Sequence, residues 1–256
     1  MIKEFALGLS KRHYFQPADN IDQWQGLDQD IFMSLYDYDD YIVEFFSKHQ
    51  TLSGYDGLLY MPDEFILDVD AVNTETARQK TIGLLLHLED IDIPSRIFFS
   101  GTGFHIHIPS DAFRWKPAKD LHLIVKQSLT DSGIFEYADP SVTDKTRLIR
   151  VPNTRNSKSN LYKVQITRKL LDAGVEDIEK FAKRPQDLNL PEYECAPVFD
   201  VTSKVKPKES EISQTNTISQ GRASDPINYP CISGMFESRA IGQRHAVGLR
   251  LAAWMR

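Results

Sequence analysis

The sequence predicts an α+β fold with a mostly antiparallel sheet. Three observations carry this expectation. Short segments rich in β-branched and aromatic residues are bounded by Gly, Pro and Asp, as strands are. Two longer segments show helical spacing with recognisable start and stop signals. Their order along the chain is strand, helix, hairpin, helix, strands, which does not alternate as a doubly wound parallel sheet would.

Taken in order, "DIFMSLYDYDDYIVEFFSKH" places Ile31, Leu35, Tyr38, Ile42 and Phe45 or Phe46 at helical spacings and reads as a helix with an aromatic face. "YMPDEFILDVDAV" reads as a strand, with Phe65, Ile66 and Leu67 leading into Asp68 and Asp70. "NTETARQKTIGLLLHLEDI" reads as a helix capped by Asn73 or Thr74. "PSRIFFSGTGFHIHIP" gives two strands, Arg96–Phe99 and Phe104–Ile108, joined by a glycine turn. "KPAKDLHLIVKQSLTDSG" is a further helix, stopped at Gly133. "RLIRVPNT" and "LYKVQIT" read as a pair of strands around a polar turn.

The domain boundaries follow from composition. Residues 1–200 read as one domain. Residues 201–228 hold almost no large apolar side chain and read as a flexible linker, and 229–256 read as the start of a helical C-terminal domain cut short at Arg256. No run is long and apolar enough to cross a membrane, and the N-terminus lacks a signal-peptide core. Two cysteines, Cys195 and Cys231, exclude a disulfide framework and fit a reducing, cytoplasmic setting.

The net charge is −6, but it is unevenly spread. From Asp19 to Asp92 there are 17 acids against 3 bases, whereas Lys145 to Leu171 hold eight bases and no acid. Such separation sets a cation-binding region beside an anion-binding one, or two solvated faces of opposite sign.

The chemistry concentrates in three places. Asp68 and Asp70 stand two apart on a strand and project from one face, where they repel unless a cation lies between them; oxygen ligands of this kind suit Mg²⁺ or Mn²⁺. "SGTGFHIHIP" places Ser100, Gly101 and Gly103 in a turn whose N–H groups can cradle phosphate, then His105 and His107 on one strand face. "DPSVTDKTRLIRVPNTRN" supplies Asp139, with Asp144 as a rival carboxylate, then Arg147 and Arg150, whose guanidinium forks suit phosphate. Lys158 and Lys163 follow, either as further phosphate or template contacts or as solvated cations.

In this order the pieces resemble the archaeo-eukaryotic primase superfamily, and within it the primase-polymerases of mobile elements, phages and CRISPR-linked loci. Asp68 and Asp70 match the family's D-x-D/E strand end, Gly103, Phe104 and His105 its G-x-H turn, and Ala138 and Asp139 its hydrophobic-Asp step, with Arg147 and Arg150 downstream. The residue before Asp139 is only alanine, and His107 lies outside the motif. The resemblance covers roughly residues 36–167. It implies a catalytic core with an RRM-like sheet and an N-terminal α/β unit. It also implies a nucleotidyltransferase acting on a single-stranded DNA template, a primer 3′ end and nucleoside triphosphates. Asp68, Asp70 and Asp139 would hold two Mg²⁺ or Mn²⁺ ions, while Ser100, Gly101, Gly103, His105, Arg147, Arg150, Lys158 and Lys163 would meet the nucleotide.

Two other readings compete. A His-hydrophobe-His rolling-circle nuclease would use His105 and His107 on one metal, but needs a nucleophilic tyrosine on a helix, and Tyr162 falls on an apparent strand. A non-catalytic RRM-like module would stack bases on strand aromatics such as those of "RIFFS". Cys231 faintly resembles the start of a cluster-binding domain, and Cys195, Cys231 and His245 form a conceivable zinc set.

Overall fold

The computed structural model describes residues 1–188 and Tyr193. The linker expected at 201–228 and the segment 229–256 lie outside the described residues.

The chain opens with a hairpin, β1 (Ile2–Leu7) and β2 (Lys11–Pro17), followed by β3 (Ile31–Ser34) and β4 (Asp37–Tyr38). The helix expected over Ile31–Phe46 is thus confined to its second half, α1 (Tyr41–His49). The reason is that Ile31, Met33 and Leu35 also alternate, and pairing with β1 through Phe5↔Met33 takes up that alternation. β5 (Leu59–Tyr60) completes this first part.

β6 (Glu64–Val69), α2 (Thr74–Asp90), β7 (Arg96–Phe99), β8 (Phe104–Pro109) and α3 (Leu121–Asp131) form where the sequence expects them. Asn73 is the cap of α2, its Oδ1 accepting from the Thr76 N–H at 2.8 Å. Gly133 adopts φ 77° just past α3, the left-handed conformation that ends a helix. Then come β9 (Leu148–Arg150), β10 (Arg155–Asn156), β11 (Leu161–Tyr162), β12 (Val164–Ile166), α4 (Arg168–Ala173) and α5 (Val175–Phe181).

Two antiparallel sheets result. The first runs β5-β4-β1-β3-β9 with β2 also on β1; the second runs β12-β7-β8-β6. The elements of the second, β6-α2-β7-β8-α3-β12, follow the β-α-β-β-α-β sequence of a split βαβ unit. The two late strands read as partners of one another are not. β9 joins β3 in the first sheet and β12 joins β7 in the second, while only β10 and β11 make the local hairpin. Non-local pairings of this kind leave no mark in a short window of sequence.

Strand alternation divides β6 into two faces. Phe65, Leu67 and Val69 are fully buried and join Leu84, Leu88, Val125 and Leu129 of α2 and α3 in the core. Glu64, Ile66, Asp68 and Asp70 look the other way, with His105 and His107 beside them: Asp68 pairs with His105 and Ile66 with His107. The helices therefore cover one face of the second sheet, and the polar side chains crowd the other.

Leu67→Ala would remove a fully buried side chain at the centre of this core. The expected cost is about 3 kcal/mol, read as a lowered urea midpoint with an unchanged transition slope.

Candidate active site

Asp68 is the last residue but one of β6, and its main-chain carbonyl accepts the Asp139 N–H at 2.8 Å. That bond brings the Asp139 carboxylate to the strand end. Asp139 also caps the short helical turn 140–143, its carboxylate accepting from the Ser141 N–H at 2.9 Å and the Ser141 hydroxyl at 2.6 Å. Asp144, the rival, lines the cavity over the site, as Asp139 does not, but makes no such bond to β6.

Arg147 arrives from the other sheet. Its carbonyl accepts the Leu35 N–H at 2.9 Å, and the preceding Thr146 carbonyl accepts from Arg12 Nη2 at 3.2 Å. Arg12 is itself fixed on the fully buried Glu4, with Nε at 2.9 Å and Nη2 at 3.0 Å from the two carboxylate oxygens. Tyr36 and Tyr38 donate their hydroxyls to the carbonyls of Thr143 and Lys145, pinning the rest of this loop. So anchored, Arg147 places Nη2 2.8 Å from Asp68 Oδ2 and 3.9 Å from Asp139 Oδ2.

The carboxylates repel one another. The Asp68 carboxyl is pushed up to about 6 by burial first and by Asp70 next, against the pull of Arg147. Asp70 is raised chiefly by burial, with Asp139 adding to it. Burial would raise Asp139 too, but the Ser141 hydrogen bonds hold it below its ordinary value.

The glycine turn is built by Ser100 and Gly103, which exchange a main-chain bond at 2.9 Å while Ser100 Oγ accepts the Gly103 N–H at 3.2 Å. A Cβ on Gly103 would fall on the Asp70 carboxylate. Gly101 has φ 102° and presses against Asn156 and Ser159 of the β10–β11 hairpin, whose Asn156 Nδ2 donates to the Ser100 carbonyl at 3.2 Å. Close approach on two sides thus requires both glycines.

A cavity of about 800 Å³ opens over these groups. Asp68, Asp70, Ser100, His105, Arg147, Arg150 and Lys158 line it, whereas Asp139, Gly101 and Gly103 are not among its lining residues. His105 is buried, with Nε2 3.7 Å from Asp68 Oδ1, and burial followed by the charge of Lys163 holds its pKa well below the ordinary value. It is a neutral imidazole. Arg12, Asp30, Asn156 and Ser157 line the cavity without having been foreseen; only the density of acids before residue 92 hinted at Asp30.

Lys163, read from the sequence as a phosphate or template contact or a solvated cation, is neither. It is fully buried, and Nζ donates to the Arg150 carbonyl at 2.9 Å and lies 3.5 Å from His107 Nε2. His107 in turn shares its Nδ1 proton with Glu64 at 2.8 Å and stacks on Phe98 at 4.1 Å. Lys163 therefore braces β9 from beneath and does not reach the cavity.

The donor set at Asp68, Asp70 and Asp139 consists of carboxylate oxygens whose mutual repulsion calls for a cation, which fits Mg²⁺ or Mn²⁺. As the side chains stand, no three Asp, Glu, His or Cys among the described residues already form a cage. The Arg147 guanidinium supplies the compensating charge.

The small subunit of DNA primase from Pyrobaculum aerophilum is 30% identical to this chain, over 44% of this chain and 54% of that subunit. The chain spans about half the length of this curated primase subunit. No family model matches it. The polymerase domain of Mycobacterium tuberculosis ligase D, solved in complex with DNA, superposes with a TM-score of 0.36 at 12% identity, over 56% of this chain and 53% of that one, a likeness too distant to carry a fold assignment. Among the described residues, no helix is long and apolar enough to cross a membrane.

Burial brings the Lys163 ammonium down to about 7, far below a free lysine. An unfolded chain keeps this proton up to about pH 10.5, so between roughly pH 7 and 10 the unfolded state binds more protons and rising pH favours the fold. Chemical denaturation across that range should show stability climbing in the wild type, and Lys163→Met should flatten the climb.

Proposed function

We propose that the protein is a DNA-dependent primase-polymerase that makes or extends primers on single-stranded DNA by nucleotidyl transfer from nucleoside triphosphates. The observation that carries this reading is the convergence of Asp68 and Asp70 with Arg147 in one cavity lined also by Ser100 and His105, with Asp139 held beside them by its bond to the Asp68 carbonyl and 3.9 Å from Arg147. Similarity to a primase subunit supports it.

Asp68, Asp70 and Asp139 would hold Mg²⁺ or Mn²⁺, two ions in the full arrangement; bound there, such ions supply activation of a primer 3′-hydroxyl and neutralisation of the leaving pyrophosphate. The chain's own groups do the rest. Arg147, relieved of its carboxylate partners, turns its fork to the triphosphate, where Arg150 and Lys158 add positive charge. The Ser100 hydroxyl and the Gly101 N–H orient the phosphates, while Gly103 keeps its own N–H on Ser100 Oγ and leaves room for the Asp70 carboxylate, and His105 offers a neutral N–H donor from a site too buried to carry charge. The single-stranded template and the primer 3′ end approach from the open side of the cavity.

The nuclease reading has less support. His107 has Nδ1 on Glu64 and Nε2 against the Lys163 ammonium, which leaves no nitrogen for a metal. The binding-module reading fares no better, because Phe98 and Phe99 are both buried and offer no stacking surface.

Extension should be assayed on a denaturing gel with single-stranded template, labelled nucleotides and Mn²⁺ or Mg²⁺, with and without an annealed primer. Wild type should yield metal-dependent products, and Asp68→Ala/Asp70→Ala should lose them by about 10³-fold or more. Template nicking without synthesis would return the nuclease reading. Gly103→Ala, which forces the Asp70 carboxylate aside, should lower extension by about 10²-fold in a chain that still folds; near-wild-type rates would show that Asp70 needs no fixed place.

A further inference from the structure

Arg150 does not stand free in the cavity. Its Nη1 is paired with Asp30 Oδ1 and also donates to the Arg155 carbonyl at 2.9 Å, while the guanidinium lies 4.7 Å above the Phe32 ring. Asp30 Oδ1 accepts a second bond, from the Ser157 N–H at 3.2 Å, and the Asp30 carbonyl accepts the Gly8 N–H at 2.7 Å. Two residues earlier, Asp28 Oδ1 takes Arg155 Nε and the Tyr162 hydroxyl, each at 2.7 Å. The β10–β11 hairpin that carries Asn156, Ser157 and Lys158 into the cavity is thus gripped at both ends by the acids ahead of β3.

We infer that Asp30 is a positioning residue for the nucleotide site, fixing Arg150 and the Ser157 turn together as a preformed anion seat; this rests on the reading of the cavity as a triphosphate site. Nη1 is fully used by Asp30 and Arg155, and one face of the guanidinium is closed by Phe32. Nε and Nη2 have no acceptor among the described residues, so they are the edge left for a phosphate oxygen. Arg150 is only 9% exposed, so its charge depends on a carboxylate that stays in place. Competition, in which Asp30 merely fills in for a phosphate and leaves when one binds, is disfavoured by the Ser157 bond: leaving would free a second donor and slacken the hairpin. Orientation ahead of binding is what lowers the entropic cost of holding a triphosphate in reactive geometry.

The test is steady-state primer extension with the nucleoside triphosphate as the varied substrate, alongside thermal melting of each variant. Asp30→Asn should raise the nucleotide KM about tenfold while kcat at saturating nucleotide changes by less than about threefold. Asp30→Glu, which keeps the charge, should recover most of the lost affinity. Asp28→Asn breaks only the more exposed grip and leaves no buried charge unpaired, so it folds even if Asp30→Asn does not; it should raise KM about two- to threefold. An unchanged KM in a folded Asp30→Asn, or in Asp28→Asn where Asp30→Asn does not fold, would overturn the inference, as would a lowered KM, the mark of a competing carboxylate. A wild-type chain that extends no primer overturns the proposed function itself, whereas an active wild type with indifferent variants overturns only the role of Asp30.

Discussion

Everything at the site depends on keeping three like charges together. Asp68 and Asp70 are fixed to one face by strand geometry, and Asp139 is brought to them by one main-chain bond to the Asp68 carbonyl. Burial and mutual repulsion push the Asp68 carboxyl to about 6, and Arg147 is the charge that keeps the arrangement tolerable. The arginine comes from the other sheet, held by Leu35, by Arg12 on its buried Glu4, and by two buried tyrosines. The first sheet therefore serves the second by delivering one guanidinium to the right place.

Between the sheets lies a buried polar layer that is paired throughout. Glu64, His107, Lys163 and the Arg150 carbonyl form a chain of contacts with Phe98 packed against it. A lysine at zero exposure is costly to bury. Here it donates to a main-chain carbonyl and faces a neutral imidazole nitrogen, so much of its hydrogen-bonding capacity is met. The layer locks β9 and with it Arg150, while His105, next along β8, is left to face the cavity.

What the sequence disclosed follows from how local each signal is. The D-x-D strand, the glycine turn and the capped helix at Asn73 are written within a few residues, and they stand where they were expected. The helical spacing of Ile31, Leu35 and Tyr38 competes with the strand alternation of Ile31, Met33 and Leu35 over the same residues, and only the distant β1 decides between them. The pairing of β9 with β3 and of β12 with β7 is likewise decided by partners far away in sequence. Lys163 looked like one more cation in a basic run, since nothing nearby signals complete burial. Asp30 was hidden for the opposite reason, as one acid among many, with partners more than a hundred residues later.

The two sheets share a late dependency. β9 is added beside β3 and β12 beside β7, so residues 148–166 supply the last strand of both and become their new edges. A ribosome-bound chain that has emerged only as far as Asp139 already carries all three carboxylates but neither arginine, and it presents two unpaired strand edges. Such edges are templates for pairing with other chains. During the passage of the residues after Asp139, β3 and β7 thus stand as bare edges, and the net negative charge from Asp19 to Asp92 sets repulsion between copies of the chain against edge-to-edge pairing.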